Sequence, residues 1–439
     1  VSDALAHELE RLCARAERGV CLGLERMVDA CARLGHPERR FSVVHVAGTN
    51  GKGSTSAMLE RILRESGKRT GLYTSPHLAR FAERIRIDGE PIDDAAFAAA
   101  LATACSKEVG EPSLFEALTL AAFIAFARAE VDVAVLEVGL GGRLDATNVV
   151  PFPLACAVTS IGLDHTRILG PDHASIACEK AGIAKPGSPL VVGPLPSDAV
   201  EATRRTATER GARSITWVVE PESTSVPPSA LRSELTCIKD EARVTLPDGA
   251  TYTLRPQLPG RHQLANAAVA ATVAHALRPH ITGIERAVER GIAEARWPGR
   301  LESLSTSGRE VLLDCAHNAE GIATLCAYLR AGAPERTVLV YGAVEDKPWQ
   351  PMLAALAPHA TRRHYGRALE AVAGRRAVEP AELAAYRPGR AHASIDAALD
   401  AALDDAGPED RLVVTGSIFL VGAVRARLLG MTRDRVIPM

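Results

Sequence analysis

Short apolar, β-branched runs alternate along this chain with longer Ala-rich stretches whose apolar residues recur at helical spacing. The alternation predicts a mostly parallel sheet covered by helices on both faces. Buried strands are expected at the short, mostly apolar runs 41–47, 131–137 and 154–161. A second group, at 310–314, 337–341 and 411–415, follows the segment Trp297-Pro298-Gly299. Pro298 and Gly299 are poor helix formers standing where one sheet system gives way to the other, so the domain boundary is placed near residue 297. Between the groups, 194–259 is less regular, and its Leu246-Pro247-Asp248-Gly249 turn predicts a small β excursion. Residues 1–18 mix acidic, basic and apolar positions at helical spacing and lack the apolar core expected of a signal peptide. No apolar run has the length of a membrane span.

Length and composition sharpen this picture only slightly. A chain of 439 residues exceeds what one hydrophobic core organises, so two or three domains with a cleft between them are expected. Apolar residues at 47% and charged residues at 24% suit a globular enzyme rather than a disordered or coiled-coil chain. A formal charge of −2 gives no global reason to expect nucleic acid or an acidic membrane as partner. The 9 cysteines are scattered, without Cys-x-x-Cys pairs or Cys/His spacing for zinc, so a reducing cytoplasm is the expected compartment.

Candidate chemistry begins at residues 43–55, where an apolar strand runs into Gly48-Thr-Asn-Gly-Lys-Gly-Ser54 and then into a helix expected to begin with Ser54 and Thr55. Such a turn lets successive backbone N–H groups of Gly48, Thr49, Asn50, Gly51 and Gly53 face one anion, while Lys52 adds a full positive charge. The segment departs from the G-x-x-x-x-G-K-[ST] pattern. Val46 stands where the first glycine belongs, and Gly53 separates Lys52 from Ser54.

That variant resembles the form used by Mur ligases. The resemblance extends through Tyr73-Thr-Ser-Pro-His-Leu78, Glu83-Arg-Ile-Arg-Ile-Asp-Gly89, Leu136-Glu-Val-Gly-Leu-Gly-Gly-Arg-Leu-Asp-Ala-Thr-Asn148, Ser160-Ile-Gly-Leu-Asp-His165 and Glu179-Lys-Ala-Gly-Ile183. It continues through Gly260-Arg-His-Gln-Leu-Ala-Asn266, Trp297-Pro-Gly-Arg300, Asp314-Cys-Ala-His-Asn318 and Gly416-Ser417. These blocks, in this order, resemble the dihydrofolate synthase/folylpolyglutamate synthase branch of the Mur ligase superfamily. The resemblance implies an α/β fold: a P-loop-type, mostly parallel sheet in an ATP-binding domain (1–297), plus a smaller Rossmann-like ligase domain (298–439). It implies ATP-dependent addition of L-glutamate to a pteroate or folate through an acyl phosphate, with ATP and Mg²⁺, by a monomer.

Site roles follow partly from chemistry and partly from the resemblance. Ser54 can offer Mg²⁺ a hydroxyl, and Glu137 ends an apolar run where open α/β sheets place their ligands. A helix-capping or solvated acid is the plainer account of Glu137. A lone histidine such as His165 is more often a packed or hydrogen-bonded residue, but the resemblance implies a metal ligand. Lys180, ordinary as a helix lysine, matches a lysine that the family uses as a carbamate. Asn266, Arg300 and Asp314 resemble residues that hold ATP. His317 and Ser417 resemble residues that place glutamate, with Arg84 as a carboxylate partner, and Phe115 and Asp145 resemble pterin-side contacts. A brace between helices, a linker salt bridge or a loop cap is the lesser alternative for Asn266, Arg300 and Asp314, while a cap, a surface arginine, a turn aspartate or a core aromatic would explain the others equally simply. Lys347 reads as a solvated loop charge. Two departures stand out: Ala319 replaces the proline that usually follows Ala-His-Asn and is expected to loosen the loop presenting His317, and an insertion-like stretch separates Gly366 from Val378.

Two other classes would share part of this pattern. A muramyl-peptide ligase would keep the cradle and metal residues, but the Leu-Asp-Ala-Thr-Asn and Trp-Pro-Gly-Arg segments argue against it. A nucleotide-gated binding protein would not need His317, Lys180 and Arg300 together.

Overall fold

The computed structural model describes residues 3–13, 15, 23–227, 229–306, 308–332, 336–368 and 376–434. Its larger sheet contains β1 (Ser42–Ala47), β2 (Thr70–Tyr73), β3 (Ile85–Ile87), β4 (Glu90–Pro91), β5 (Val133–Glu137) and β6 (Ala155–Val158). Beyond these lie β7 (Pro189–Val192), β8 (Ser214–Val219), β9 (Leu231–Ile238), β10 (Glu241–Thr245) and β11 (Thr251–Leu254). The strand order is β11-β10-β9-β8-β7-β6-β1-β5-β2-β3-β4, with β1 parallel to both β5 and β6. From β1 the chain crosses over β5 to reach β2, so a crevice opens at the carboxyl end of β1 between the loops that follow β5 and β6. Open α/β sheets bind their ligands at such switch points.

Both faces of the central strands are buried, as their apolar runs predict, whereas β9, β10 and β11 alternate buried with more exposed residues. Val44, Val46, Val133 and Val135 pack against Met58, Ile62 and Leu63 of the helix Lys52–Glu65 and against the Ala-rich helix Arg261–Ala276. Val43, Ala134 and Leu136 face Leu118, Ala121 and Phe123 of the helix Leu114–Arg128 on the other side.

Three expectations change in detail. The third predicted strand is shorter, Ala155–Val158 rather than 154–161, because Thr159 and Ser160 turn to bond the phosphate-binding loop. Thr159 Oγ1 and Ser160 Oγ donate to Asn50 O at 2.6 and 3.0 Å, and Thr49 N donates to Ser160 O at 2.9 Å. The helix after that loop begins at Lys52, not Ser54, because Gly51 adopts a left-handed φ of 83° and caps it. The β excursion is no separate unit: β9 pairs in parallel with β8 and leads into the antiparallel β10 and β11, extending the main sheet.

The second sheet holds β12 (Glu302–Thr306), β13 (Arg309–Leu313), β14 (Thr337–Tyr341), β15 (Arg362–Tyr365), β16 (Arg390–Ala391) and β17 (Arg411–Thr415), ordered β12-β13-β17-β14-β15-β16. All pairs are parallel except the edge pair β12–β13. Asp314 and Gly416-Ser417 therefore leave the same, carboxyl edge of this sheet. Within the insertion-like stretch, 369–375 lie outside the described residues. Among the described residues no helix is long and apolar enough to cross a membrane.

Candidate active site

The loop from Gly48 to Gly53 is tied down from three directions. A Cβ on Gly51 would stand 2.3 Å from Asn266 Oδ1, and one on Gly53 would stand 2.6 Å from Trp297 Nε1. Glycine at these positions is what lets the helix Arg261–Ala276 and the inter-sheet segment close directly onto the loop. Asn266 is itself braced, its Nδ2 donating to Gln263 Oε1 at 2.9 Å, while Gln263 Nε2 donates to the buried Ser54 Oγ at 3.2 Å.

Two lysines converge on one backbone oxygen. Lys52 Nζ donates to Gly48 O at 3.0 Å and to Thr49 O at 3.2 Å, and Lys180 Nζ donates to the same Gly48 O at 2.9 Å. Burial lowers the Lys52 pKa, against the attraction of Glu137 and Asp164. Burial, joined by repulsion from Lys52, lowers Lys180 to about 7. Two ammonium groups with one carbonyl between them form a site short of negative charge. A polyphosphate fits that deficit.

Glu137, the last residue of β5, is 4% exposed, and its Oε2 accepts one long bond, 3.4 Å, from Ser75 N. Burial pushes its pKa up to about 7, opposed by Lys52 and Arg300. A carboxylate so weakly compensated suits a cation. With the Ser54 hydroxyl, the hard oxygen donors match magnesium, which takes few protein ligands and completes its shell with phosphate and water. Accordingly, no three His, Cys, Asp or Glu side chains form a metal cluster among the described residues. His165 follows β6 in a left-handed conformation (φ 52°), its side chain partly exposed and its Nε2 4.0 Å from Asp164 Oδ1.

Arg300 and Asp314 lie near each other where the segment joining the sheets enters the second sheet. Asp314 accepts Leu301 N and Ala316 N, both at 3.0 Å, and burial raises its pKa against the pull of Arg300. The cleft between the two sheets is lined by Gly53, Ser75, His77, Glu137, Trp297 and Arg300. Beside it, Arg84 is 1% exposed. Its Nε donates to His77 Nδ1 at 2.9 Å, while one terminal nitrogen, Nη1, is buried with no partner. Burial lowers Arg84 to about 10. An unpartnered buried guanidinium nitrogen calls for a carboxylate.

His317 donates from Nδ1 to Cys315 O at 2.8 Å, leaving the Nε2 lone pair outward, 3.9 Å from Asp164 Oδ2. Burial and the nearby Lys347 lower its pKa to about 4, so the ring is neutral at physiological pH. Ser417 is buried and caps the helix Ile418–Leu428, its Oγ accepting Phe419 N at 3.3 Å. Asp145 spends both oxygens within its own loop: Oδ1 accepts Thr147 N and Oγ1, and Oδ2 accepts Gly139 N and Leu140 N. It braces the segment 139–147, over which the Phe115 ring packs at Gly139. Asn318 caps the helix Ala319–Ala331 by accepting Gly321 N at 2.8 Å, so the loop presenting His317 is held even with alanine at 319.

The residues expected from sequence thus gather around the loop 48–54 and the cleft, with Phe115 and Asp145 together at one side and His165 on the more open rim. Sequence reasoning missed Asp164, Gln263, His77 and Trp297, and set Lys347 aside. Lys347 Nζ lies 2.5 Å from Asp164 Oδ1. Asp164, His77, Gln263 and Trp297 all stand inside the motif blocks, so position was the available signal.

Comparison with known proteins gives consistent results. The Mur ligase middle domain model matches residues 46–274, and the Mur ligase glutamate ligase domain model matches 299–418. A dihydrofolate synthase/folylpolyglutamate synthase of Bacillus subtilis is 38% identical over 374 residues, covering 80% of this chain and 82% of the relative. The solved structure of Escherichia coli FolC in complex with DHPP and ADP aligns with a TM-score of 0.86 at 33% identity, over 98% of this chain and 99% of that one. A solved bifunctional folylpolyglutamate synthase/dihydrofolate synthase with Mn, AMPPNP and L-glutamate bound aligns with a TM-score of 0.83 at 33% identity, over 96% of this chain and 98% of that one.

Proposed function

The chain belongs to the dihydrofolate synthase/folylpolyglutamate synthase family of Mur ligases, and from that premise we infer an ATP-dependent ligase that joins L-glutamate to folate acceptors. The observation that carries this reading is the convergence of Lys52 and Lys180 on Gly48 O, with Glu137 beside them.

A carboxylate is a poor electrophile, so the acceptor must first be activated. Its oxygen attacks the γ-phosphorus of ATP, ADP leaves, and an acyl phosphate results. The amine of glutamate then attacks the acyl carbon, loses a proton and expels inorganic phosphate, which leaves an amide. The protein's contribution is alignment and charge neutralisation. In this reading Lys52 and Arg300 face the phosphates, while Asn266 and Asp314 hold the rest of the nucleotide. Ser54, Glu137 and His165 would hold magnesium, which supplies Lewis-acid neutralisation of phosphate charge when bound. Arg84 takes a substrate carboxylate on its unpartnered nitrogen, and neutral His317, with Ser417 behind it, receives glutamate's amine on Nε2. Phe115 supplies an apolar wall for the pterin and Asp145 shapes the loop beneath it.

Residues 1–297 act here as the ATP-binding domain and 298–439 as the ligase domain of a cytoplasmic monomer.

The coupling test is steady-state ADP release: beyond one equivalent per enzyme it should require both a pteroate or folate acceptor and free glutamate. Release with nucleotide alone would favour a nucleotide-gated binder. Metal binding gives a separate expectation. Glu137→Ala and His165→Ala should each raise the magnesium midpoint for turnover by about tenfold, the usual scale for losing one ligand-shell contact. Unchanged midpoints would return both residues to structural roles.

A further inference from the structure

Lys347 and Asp164 belong to different sheets yet form a close ion pair. Their side chains are only 9% and 13% exposed, and Nζ and Oδ1 lie 2.5 Å apart. Lys347 is presented rigidly: its N–H donates to Val344 O at 3.2 Å, its carbonyl accepts Trp349 N at 2.8 Å, and buried Trp349 packs edge-on against Tyr386 at 5.5 Å. Asp164 sits in the loop after β6, where Asn318 Nδ2 donates to its Oδ2 at 3.3 Å and His317 Nε2 stands 3.9 Å away. The same Asn318 amide donates to Asn50 Oδ1 at 3.0 Å, and Asn50 Nδ2 donates to Glu320 Oε2 at 3.0 Å. Four residues of the second sheet's side therefore clasp the phosphate-binding loop and the loop beyond β6. Burial would raise the Asp164 pKa, but Lys347 and the neighbouring histidines hold it well below the usual carboxylate range.

We propose that Lys347 is a positioning residue for ligation: by pairing with Asp164 across the interface it locks the His317-Asn318 loop onto the phosphate-binding loop, so that the two half-sites face each other. This rests on the ligase reading for its consequence in turnover, but not for its consequence in structure. A buried pair with shared partners couples strongly, and breaking either half should disable the same latch.

Lys347→Met and Asp164→Asn should each lower kcat by about 30-fold with the KM for glutamate nearly unchanged, and the double variant should be no slower than the slower single. Lys347→Arg should recover part of the loss. Independently of turnover, amide exchange at 48–51, measured with AMPPNP and magnesium bound, should accelerate in Lys347→Met more than exchange in the core of β1 and β5, which reports any fall in global stability. Multiplicative losses in the double variant would overturn the proposal, as would a raised glutamate KM with kcat retained, which would make Lys347 a substrate contact. If wild type shows no ligase turnover but the exchange still accelerates, the latch stands and the ligase reading falls. Normal wild-type turnover with unchanged exchange in Lys347→Met would remove the latch and leave the ligase reading standing.

Discussion

Lys52→Ala is expected to lower ligase turnover by at least about 10³-fold, the upper range for losing one preorganised charge-stabilising donor, while the protein still folds. The γ-phosphate carries its charge through the transfer step, and Lys52 belongs to the loop that would cradle it and is held there by bonds to Gly48 O and Thr49 O. Its removal leaves no buried charge newly stranded in the loop, since its direct partners are carbonyls that Lys180 and water can serve. Glu137 also changes. Lys52 is the leading influence holding its pKa down against burial, so without Lys52 the Glu137 value moves above its present position of about 7. Magnesium must then compete harder with a proton for this carboxylate, so two functions weaken together. Single-turnover ADP formation, with a thermal melt as the folding control, measures both. Product formation at the wild-type rate by a folded variant would remove residues 48–54 from the chemistry.

The second large effect is expected at Lys180. An ordinary lysine, with a pKa of about 10.4, is almost entirely protonated at neutral pH and reacts little with CO₂. At about 7, Lys180 is half neutral there. The free amine adds to CO₂, forms an N–C bond and loses a proton, so the side chain passes from a cation to an anion with two oxygens. That reverses its relation to Lys52: two ammonium groups competing for Gly48 O become an attracting pair. Lys180→Ala should therefore lose about 10²-fold or more in turnover, as expected when a positioned charge in the site is removed, and a small added carboxylate should restore part of it. The pH sense follows directly. As pH falls through about 7 the amine is protonated and capture of CO₂ fails, so wild-type activity should decline on that acid limb and recover with added bicarbonate. A carbamate carbon signal from ¹³C-labelled bicarbonate, lost in Lys180→Ala, is the direct readout. Full activity of Lys180→Ala without any such signal would leave Lys180 an unmodified structural lysine.

Much of the architecture was legible because it is local. The runs ending at Ala47 and Glu137 are mostly apolar on both faces, which suits a doubly covered strand, and both are central strands of the larger sheet. The loop 48–54 announced itself by glycine spacing. What stayed hidden depends on partners far along the chain. Strand β6 stops at Val158 because Asn50, over a hundred residues earlier, takes the hydroxyls of Thr159 and Ser160. Lys347, with Glu345, Asp346 and Pro348 around it, has the local composition of a surface loop, and only the fold reveals that Asp164 covers it. Conversely, Asp145 reads as a ligand contact from its motif, whereas its oxygens are engaged with the backbone of residues 139, 140 and 147 and with Thr147 Oγ1.

Ligation is the central claim, and weighing the product tests it most directly. Purified protein is incubated with ATP, magnesium, L-glutamate and, in separate reactions, dihydropteroate or a reduced folate, and each acceptor is then analysed by mass spectrometry. The expected product is an acceptor heavier by one or more glutamyl residues, formed with one ADP per residue added and absent when either ATP or glutamate is withheld. Acceptors recovered at their starting mass while ATP is consumed would contradict ligation.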